Sequence, residues 1–405
     1  MSLCVIARNE EPRIGHCLES AAPYVDEIVV VDTGSTDGTP DVAAAAGALV
    51  FKAPWPDSFA AARNASLDAA TGKYIFVMDA DDVLPKGSGE LLRRMVKERA
   101  QCDAAFNAQV RIPPGPSEFS PSVVDHVKLF PNRADIRYTF RIHEQVLPSL
   151  RRVGLPVLPS DLYVVHEHYD RSPEGQARKR LRDFRLLDMD LRDQPNHPFT
   201  LFNLGMTYLL ATREYEAAAQ CLRRSLDGSD WRDSIVRKAY ALLTTARVCQ
   251  EEWGEAITAN EQGRSHYPDD AELLFLGGQV YQRLKRFDEA RSALERLVSR
   301  GDDPEFRSCD VGLRTYRGRH ELALLVGRMG STEHSREMLA EVAATWPDYL
   351  PARIDLAGAL LALGRREDAR VVLAAVPHAP GIAAELQRLW DALGGAPPAH
   401  APGRW

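Results

Sequence analysis

Paired cysteines, long apolar runs and a large excess of one charge are all missing from this 405-residue chain. Its six cysteines lie far apart and form no C-x-x-C pair, so the sequence predicts neither a zinc site nor a disulfide framework. The net charge of −7 argues against a surface that binds nucleic acid. With 45% hydrophobic and 26% charged residues, the composition is that of a globular protein, which excludes the disordered and collagenous classes.

The sequence also shows neither a membrane-spanning segment nor a signal peptide. No stretch approaches the ~20 apolar residues that a membrane-spanning helix needs. The first ten residues lack the basic head and apolar centre of a signal peptide. We therefore expect a soluble protein in the cytoplasm, where thiols stay reduced, and the length predicts two domains.

Short apolar runs alternate with helical patterns over the first ninety residues. The runs cover residues 3–7, 28–31, 49–51 and 74–78, and the helical patterns cover residues 12–22, 40–46 and 59–70. This alternation is typical of βαβ units, which build a parallel sheet with helices on both faces. Ligands bind such sheets beyond the carboxyl ends of the strands.

Polar residues follow several of these predicted strands, and the acidic ones are the most informative. Asp79 and Asp81 come directly after the fourth run, with Ala80 between them and Asp82 behind. Alternate positions lie on one side of an extended chain, so both carboxylates could share a hard cation such as Mg²⁺ or Mn²⁺ together with a diphosphate. The alternative is that these acids are solvated in a strand-to-helix turn.

The second half of the chain has only helical patterns, and they repeat. A cap residue, a proline and an acid at residues 172–174 predict the start of a helix. The predicted apolar face of this helix consists of Leu181, Phe184, Leu187 and Leu191. Beyond residue 196, an L-G-x-x-Y…A pattern recurs with a period of about 34 residues. The pattern resembles tetratricopeptide repeats, whose helix pairs stack into a curved solenoid.

Three ordered motifs in the first half carry a further resemblance. They are V-D-T-G-S-T-D-G-T at 31–39, A-R-N at 62–64 with A-A-T-G-K-Y-I at 69–75, and D-A-D-D at 79–82. Together they resemble family-2 glycosyltransferases of the GT-A fold over residues 1–170. With the repeats included, the chain is similar to the branch that contains the sublancin-type peptide S-glycosyltransferases.

The resemblance implies an α/β fold class with two parts. A GT-A (Rossmann-like) mixed, mostly parallel sheet flanked by helices would occupy residues 1–170, and a linker helix residues 171–195. An all-α tetratricopeptide-like solenoid would follow at 196–393, and a disordered tail at 394–405.

The resemblance also implies which residues bind a UDP-sugar. The pocket residues would be Ala7, Arg8, Asn9, Glu10, Asp32, Arg63, Asn64, Asp79, Ala80 and Asp81. Many family members have a second acid after the residue that matches Asp32, whereas this chain has Thr33. The uracil contact of the family therefore need not carry over.

Catalytic and metal-binding roles follow from the same resemblance. An I-H-E segment at 142–144 makes Glu144 the first candidate for the base, and Asp82 is the second. Asp81, His166 and Asp79 are the candidate ligands of Mn²⁺ or Mg²⁺, and His168 is an alternative to His166. H-E at 143–144 lacks the second histidine of H-E-x-x-H, so a zinc protease is not supported.

The sequence thus predicts an inverting, metal-dependent glycosyltransferase that uses a UDP-sugar. The solenoid favours a peptide or protein acceptor, with Ser, Thr or Cys as the modified residue, although such repeats also mediate homodimers. Two alternatives stay open. The acceptor could be a saccharide or a precursor of a cell-surface glycan, or the chain could be a non-catalytic repeat scaffold with a vestigial GT-A domain.

Overall fold

The computed structural model describes residues 1–98, 103–113, 122–167, 172–300, 308–310, 312–377 and 382–395. Two compact units divide the chain. The first consists mainly of Met1–Pro113 and Ser122–Ala239, and the second mainly of Tyr240–Asp303 and Cys309–Trp405. The predicted tail falls largely at 396–405, outside the described residues, as does His168.

The βα alternation predicted for the first ninety residues is confirmed. The elements are β1 (Ser2–Ala7), α1 (Glu11–Ala21), β2 (Glu27–Asp32), α2 (Thr39–Ala45), β3 (Leu49–Lys52), α3 (Phe59–Ala69) and β4 (Tyr74–Val77). The β-strands pair in the order β3-β2-β1-β4, and all three pairs are parallel. The carboxyl ends of these strands therefore lie along one edge of the sheet.

The sheet continues beyond β4 with antiparallel pairs, so it is mixed as predicted. The further elements are β5 (Asp82–Val83), α4 (Lys86–Glu98), β6 (Ala105–Ile112), β7 (Ser122–Pro131), α5 (Leu147–Arg152), β8 (Val157–Leu158) and β9 (Tyr163–His166). The order runs β4-β7-β6-β9-β5, and β8 pairs with β6. The antiparallel pairs β4–β7 and β5–β9 bring distant segments to the end of β4.

Both faces of β1, β2 and β4 are buried, which explains why most positions of these strands are apolar. Leu3, Val5 and Phe76 pack in one core cluster with residues of α1 and α4. Val29, Ile75 and Phe130 pack in another cluster with residues of α3 and α5. A rigid sheet covered on both faces is a scaffold that can hold side chains at fixed positions at its edge.

Three helices complete the first unit: α6 (Pro173–Asp193), α7 (Pro198–Thr207) and α8 (Tyr215–Asp227). The predicted helix start is confirmed, because the Ser172 hydroxyl accepts a hydrogen bond from the Gly175 amide. The predicted apolar face was partly wrong: Leu181 is 74% exposed, whereas Leu186 and Leu187 are buried. The domain boundaries at 170 and 196 stay predictions, since the first unit runs on to Ala239.

Stacked helices form the second unit. They are α9 (Val236–Cys249), α10 (Trp253–His266), α11 (Ala271–Arg283), α12 (Phe287–Ser299), α13 (Gly318–Arg328), α14 (Thr332–Thr345), α15 (Leu350–Ala362), α16 (Arg366–Ala374) and α17 (Ala383–Ala392). A Cβ atom at Gly278 would lie 2.8 Å from the Leu294 side chain, so glycine lets α11 and α12 pack closely. No helix among the described residues combines the length and the apolar composition that crossing a membrane requires.

Candidate functional site

The candidate site lies where the parallel strands end. Ala7 at the end of β1 is paired with Asp32 at the end of β2, and β4 lies on the other side of β1. The segment that follows β4 contains Asp79, Asp81 and Asp82. The residues predicted from three separate stretches of sequence are thus brought to the same edge of one sheet.

The loops after β1 and β2 are fastened to each other by polar side chains. The Asn9 side chain, on a residue with φ of 57°, accepts a hydrogen bond of 2.8 Å from the Thr36 amide. The buried carboxylate of Asp32 accepts the Ser35 amide at 3.2 Å. Arg8 is exposed, Glu10 pairs with Arg13, and Ala7 is buried. Asn9 and Asp32 therefore shape the loops, and Arg8 is the exposed cation beside them.

Arg63 joins two of the predicted carboxylates. It lies on α3, donates from Nε to Glu144 Oε1 and from an Nη atom to Asp79 Oδ1, with both distances 2.5 Å. Its guanidinium also lies 5.7 Å from the centre of the Tyr138 ring. The remaining nitrogen, Nη1, is buried and has no hydrogen-bond partner among the described residues. Arg63 thus binds Asp79, 16 positions further along the chain, and Glu144, 81 positions further along.

The charges of this cluster shift the pKa values of its members. Burial lowers the pKa of Arg63, but Glu144 and Asp79 outweigh that effect and raise it well above its ordinary value. Loss of hydration by itself would raise the pKa of Asp79. The positive charges of Arg63 and Lys128 outweigh that effect, so the pKa of Asp79 lies well below its usual range. Arg63 and Asp79 thus favour each other's charged form.

The neighbouring residue, Asn64, fixes the segment that presents Glu144. Its side-chain amide accepts a hydrogen bond from the Tyr138 amide at 2.8 Å and donates one to the Tyr138 carbonyl at 3.0 Å. Thr139 and Gln145 then close the segment through a pair of backbone hydrogen bonds. Asn64 was predicted to face the nucleotide, but its polar atoms are occupied by this backbone.

Asp82 is fully buried beneath the site and has a partner on each oxygen. Oδ2 accepts hydrogen bonds from Lys128 Nζ at 2.8 Å and from the Asp79 amide at 3.0 Å. Oδ1 lies 3.1 Å from His166 Nδ1, because β5 and β9 place Asp82 opposite His166. With 0% of its side chain exposed, Asp82 has no face open to an acceptor molecule.

Lys128 is the residue of the site that sequence reasoning did not assign. It lies on β7, and its side chain is only 7% exposed. Burial lowers its pKa, yet Asp82 and Asp79 outweigh burial and raise the pKa above 10.5. The signal was a single lysine within the apolar run V-K-L-F-P at 127–131. A charge at that position of a central strand needs a buried partner.

Asp81 differs from its neighbours because no arginine or lysine of the described residues pairs with it in an ion pair. Burial is the main cause that raises its pKa from 3.8 to about 6, against the opposing effect of His166, whose Nδ1 lies 3.4 Å away. The pKa of His166 is raised, first by its hydrogen bond with Asp82. Asp81 is thus the carboxylate of the site with the greatest need of a cation.

The donor set fits a divalent cation. Ligand atoms of Asp79, Asp82 and His166 lie within 4.8 Å of one another. Asp79, Asp81, Asp82 and Glu144 supply four carboxylates, whereas Arg63 and Lys128 supply two positive charges. Two negative charges remain, and carboxylate oxygens with one imidazole suit Mn²⁺ or Mg²⁺. The predicted ligand set of Asp79, Asp81 and His166 stays a prediction.

Three segments of the chain match models of known protein families. Residues 2–139 match the family model described as Glycosyl transferase family 2. Residues 272–300 and 329–389 match two models described as Tetratricopeptide repeat. The fold class predicted from the sequence, a glycosyltransferase-type α/β domain followed by helical repeats, is confirmed.

Three curated relatives illustrate the similarity. The TPR repeat-containing protein Synpcc7942_0270 of Synechococcus elongatus is 32% identical over 56% of this chain and 56% of its own length. The SPbeta prophage-derived glycosyltransferase SunS of Bacillus subtilis is 26% identical over 55% of this chain and 52% of its own length. The lipopolysaccharide core biosynthesis glycosyltransferase LpsC of Rhizobium meliloti is 36% identical over 24% of this chain and 37% of its own length.

The matched region of this chain spans about half the length of the first two relatives, or less for the third. Within the chain itself, the family-2 match ends in the segment that leads to Glu144. The site described above lies within that match or close behind it. The N-terminal part of the chain is therefore similar to glycosyl transferase family 2, and two segments of its C-terminal half are similar to tetratricopeptide repeats.

Proposed function

We propose that the protein is an inverting, metal-dependent glycosyltransferase that takes its sugar from a UDP-sugar. The observation that carries this proposal is the cluster of four carboxylates with two buried cations and a histidine at the strand ends of a family-2 domain. Such an excess of negative charge is costly without a cation. Mg²⁺ bound by one or two carboxylates commonly takes phosphate oxygens of a substrate as further ligands.

Asp79, Asp81 and His166 would hold the metal in this proposal. A divalent cation bound by these residues would supply positive charge for the diphosphate of the departing UDP. Asp82 is assigned to support instead of catalysis, because both of its oxygens are occupied by protein groups. Asp32, Asn9 and Arg8 would border the nucleotide, and the exposed Arg8 suits a phosphate.

Glu144 would be the base. Its Oε1 is bound to Arg63, which fixes the carboxylate in place, and its side chain is still 13% exposed. The free lone pairs of Glu144 would take the proton of the acceptor hydroxyl or thiol. The acceptor oxygen or sulfur then forms a bond to the anomeric carbon as the bond to the UDP oxygen breaks, which inverts that carbon.

A peptide or protein is the acceptor that we propose, and a cavity in the helical unit supports it. The cavity has a volume of about 690 Å³, and its lining includes Trp253, Phe287, Arg283, Lys285 and Arg328. Aromatic walls beside three cations suit a peptide that presents apolar and acidic side chains. Similarity to LpsC supports the second candidate, a saccharide acceptor.

Free thiols support a reducing compartment such as the cytoplasm. Cys4, Cys17, Cys221 and Cys249 are unpaired, and the first three are buried. Thiols of this kind persist where glutathione keeps cysteines reduced. Location in the cytoplasm is accordingly part of the proposal.

The test of the transferase is UDP release from a panel of UDP-sugars, with Mn²⁺ and with a chelator. We expect Asp81→Ala to lose Mn²⁺-dependent binding of the UDP-sugar, and Glu144→Gln to keep binding but stop transfer. Glu295→Gln, which removes one acid of an exposed ion pair on α12, is the matched control and should keep full activity. If no nucleotide sugar binds to the wild type in the presence of Mn²⁺, the proposal fails.

The acceptor is tested separately by comparing peptides with saccharides. Trp253→Ala should raise the KM for a peptide acceptor without altering the KM for the UDP-sugar. Transfer to saccharides alone, with kinetics that Trp253→Ala leaves unchanged, would favour the second candidate.

A further inference from the structure

The segment that carries Glu144 is bound to the first turn of α3 at two points. The Phe59 amide, at the start of α3, donates a hydrogen bond of 2.7 Å to the Arg141 carbonyl. Arg63, one turn further along the helix, binds the Glu144 carboxylate. Four residues of an α-helix rise about 6 Å. Two contacts at this spacing fix both the position and the direction of residues 141–144.

The backbone of this segment bends sharply at two residues. Phe140 has a φ of 72° and His143 a φ of 54°, in the left-handed region that residues other than glycine seldom adopt. Such a conformation costs free energy and persists only where the surrounding structure holds it. The two bends enclose Arg141 and Ile142. Contacts to these two residues therefore decide in which direction the chain leaves the second bend towards Glu144.

The helix α6 supplies the contacts on the other side of the segment. The Asp190 carboxylate, whose side chain is only 12% exposed, accepts the Arg141 amide at 3.0 Å from Oδ2 and 3.3 Å from Oδ1. Ile142 packs in one core cluster with Leu186 and Leu187 of the same helix. Both backbone polar groups of Arg141 are thus bound, the amide by α6 and the carbonyl by α3.

Contacts that do not involve Asp190 hold α6 in its place. Arg185 of α6 binds both oxygens of Asp57, in the loop before α3, at 2.6 and 2.8 Å. Leu187 belongs to the cluster against which Phe59 packs. Loss of the Asp190 carboxylate should therefore release the backbone of the segment while α6 stays where it is.

We propose that Asp190 is a positioning residue for sugar transfer: by holding the Arg141 amide, it sets the direction of the Glu144 carboxylate. The inference rests on the transferase proposed above, in which Glu144 is the base. A base must lie within hydrogen-bond reach of the proton that it takes. Misplacement of a reacting group by about 1 Å can lower a rate roughly 100-fold. Asp190 would act through the backbone of the segment, without a part in the proton transfer itself.

Asp193, also on α6, offers an internal comparison. It accepts a hydrogen bond of 2.7 Å from the Arg141 guanidinium, and its side chain is 59% exposed. Among the described residues, no hydrogen bond joins Asp193 to the backbone of residues 139–145. Removing either acid takes a negative charge from the neighbourhood of Arg141. Only the removal of Asp190 frees the Arg141 amide.

The first experiment measures kinetics of the full-length chain. UDP release is followed from UDP-glucose and UDP-N-acetylglucosamine, with Mn²⁺ and a pool of peptides that contain Ser, Thr and Cys. Asp190→Ala should lower kcat about 10- to 100-fold and leave the Kd and the stoichiometry of UDP-sugar binding unchanged. Asp190→Asn keeps an oxygen for the Arg141 amide and should restore most of kcat. Asp193→Ala is the matched control and should keep kcat.

Two further readouts separate positioning from a general loss of stability. In the Glu144→Gln background, Asp190→Ala should lower the residual rate no further, because it acts through Glu144. Hydrogen exchange of the Phe59 and Gln145 amides, which bind carbonyls of the segment, should be faster in Asp190→Ala and unchanged in Asp193→Ala. If the alanine variant does not fold, Asp190→Glu moves the carboxylate by one methylene and should lower kcat severalfold with donor binding intact.

Three results would overturn the inference. They are an unchanged kcat in Asp190→Ala, a loss of donor-binding capacity in proportion to kcat, and an equal loss of rate in the wild-type and Glu144→Gln backgrounds. Unchanged exchange at Phe59 and Gln145 would also overturn it. If the wild type transfers no sugar while Asp190→Ala alone speeds this exchange, the proposed function fails and the placement of the segment by Asp190 is supported.

Discussion

Ion pairs occur in both units of this protein, but they differ in burial and in number of partners. On the repeat helices, Arg286–Glu289 and Arg291–Glu295 are pairs one helical turn apart with both side chains about half exposed. At the strand ends of the sheet, Lys128–Asp82 and Arg63–Glu144 are almost completely buried, and each joins segments distant in sequence. The repeat pairs are local, whereas the sheet pairs depend on the whole fold.

This contrast indicates that the buried ion pairs at the strand ends serve a purpose other than stability. Exposed pairs contribute about 0–1 kcal/mol in proteins, so many substitutions can replace them. A buried pair loses several kcal/mol of hydration per ion and is often no more stable than an apolar pair of the same volume. The charges at the strand ends are thus best explained by what they bind and position.

Breaking one ion pair in each region should give the largest difference in unfolding free energy between the two regions. Lys128→Met leaves Asp82 buried without its cation, so we expect a loss of about 3–5 kcal/mol of unfolding free energy. Arg291→Ala on α12 should leave stability within experimental error. Hydrogen exchange of β4 and α12 amides, measured separately, reports the stability of each unit.

The double variant Lys128→Met with Asp82→Leu sharpens this prediction. Replacing both charges by apolar groups should regain most of the stability that Lys128→Met loses. A double variant as unstable as Lys128→Met alone would mean that packing, and not the unpaired charge, is responsible for the loss.

The second contrast lies in the pH dependence of two acids. Burial raises the pKa of Asp81 to about 6, so the folded state holds its proton more tightly than the unfolded state does. The stability from this group is full below about pH 4 and is lost as the pH rises through about 6, by about 3 kcal/mol at most. In metal-free protein, Asp81→Asn should remove that decline.

Glu289 on α12 should behave in the opposite direction. The hydrogen bond from Arg286 lowers the pKa of Glu289, so its small stabilisation is present at neutral pH and is lost as the pH falls through the lowered pKa. Unfolding curves of Asp81→Asn and Glu289→Gln between about pH 3 and pH 7 test both signs. Equal slopes for wild type and Asp81→Asn would contradict the Asp81 prediction.

Arg63 at the strand ends and Arg286 in the helical unit differ in the geometry of their ion pairs. Arg63 binds two carboxylates from different nitrogens, which a lysine cannot reproduce. We expect Arg63→Lys to lower kcat for sugar transfer roughly tenfold or more, equivalent to about 1.4 kcal/mol or more in the barrier. Arg286→Lys keeps an exposed pair and should leave kcat unchanged. UDP release at saturating donor measures both.

The positions of the first strands along the chain and the acids that follow them could be predicted because both depend on local sequence. Apolar runs of three to five residues mark the strands, and Asp79 and Asp81 follow one of these runs directly. The partners of those acids could not be predicted, because they come from far along the chain. Lys128 reaches Asp82 through the antiparallel strand β7, and Glu144 reaches Arg63 through a segment held by Asn64.

Helical periodicity predicted the position of α6 correctly but predicted less well which of its residues are buried. The spacing of Leu181, Phe184 and Leu187 predicted one apolar stripe on α6, but Asp183 is buried and Leu181 is exposed. Asp183 lies beside His143, whose pKa burial lowers and Asp183 raises in part. The charge of Asp183 thus acts on a residue of another segment, and helical periodicity contains no information about that segment.

Helix caps give the smallest contrast, with similar effects on stability but different effects on activity. The Ser58 hydroxyl accepts the Ala61 amide at the start of α3, and the Asp270 carboxylate accepts the Leu273 amide at the start of α11. Either residue replaced by alanine should cost about 1 kcal/mol of stability. Ser58→Ala should also lower kcat severalfold, because α3 carries Arg63 one turn further on. Asp270→Ala should keep kcat, and an equal loss in both variants would show that general destabilisation, and not the placement of Arg63, limits the reaction.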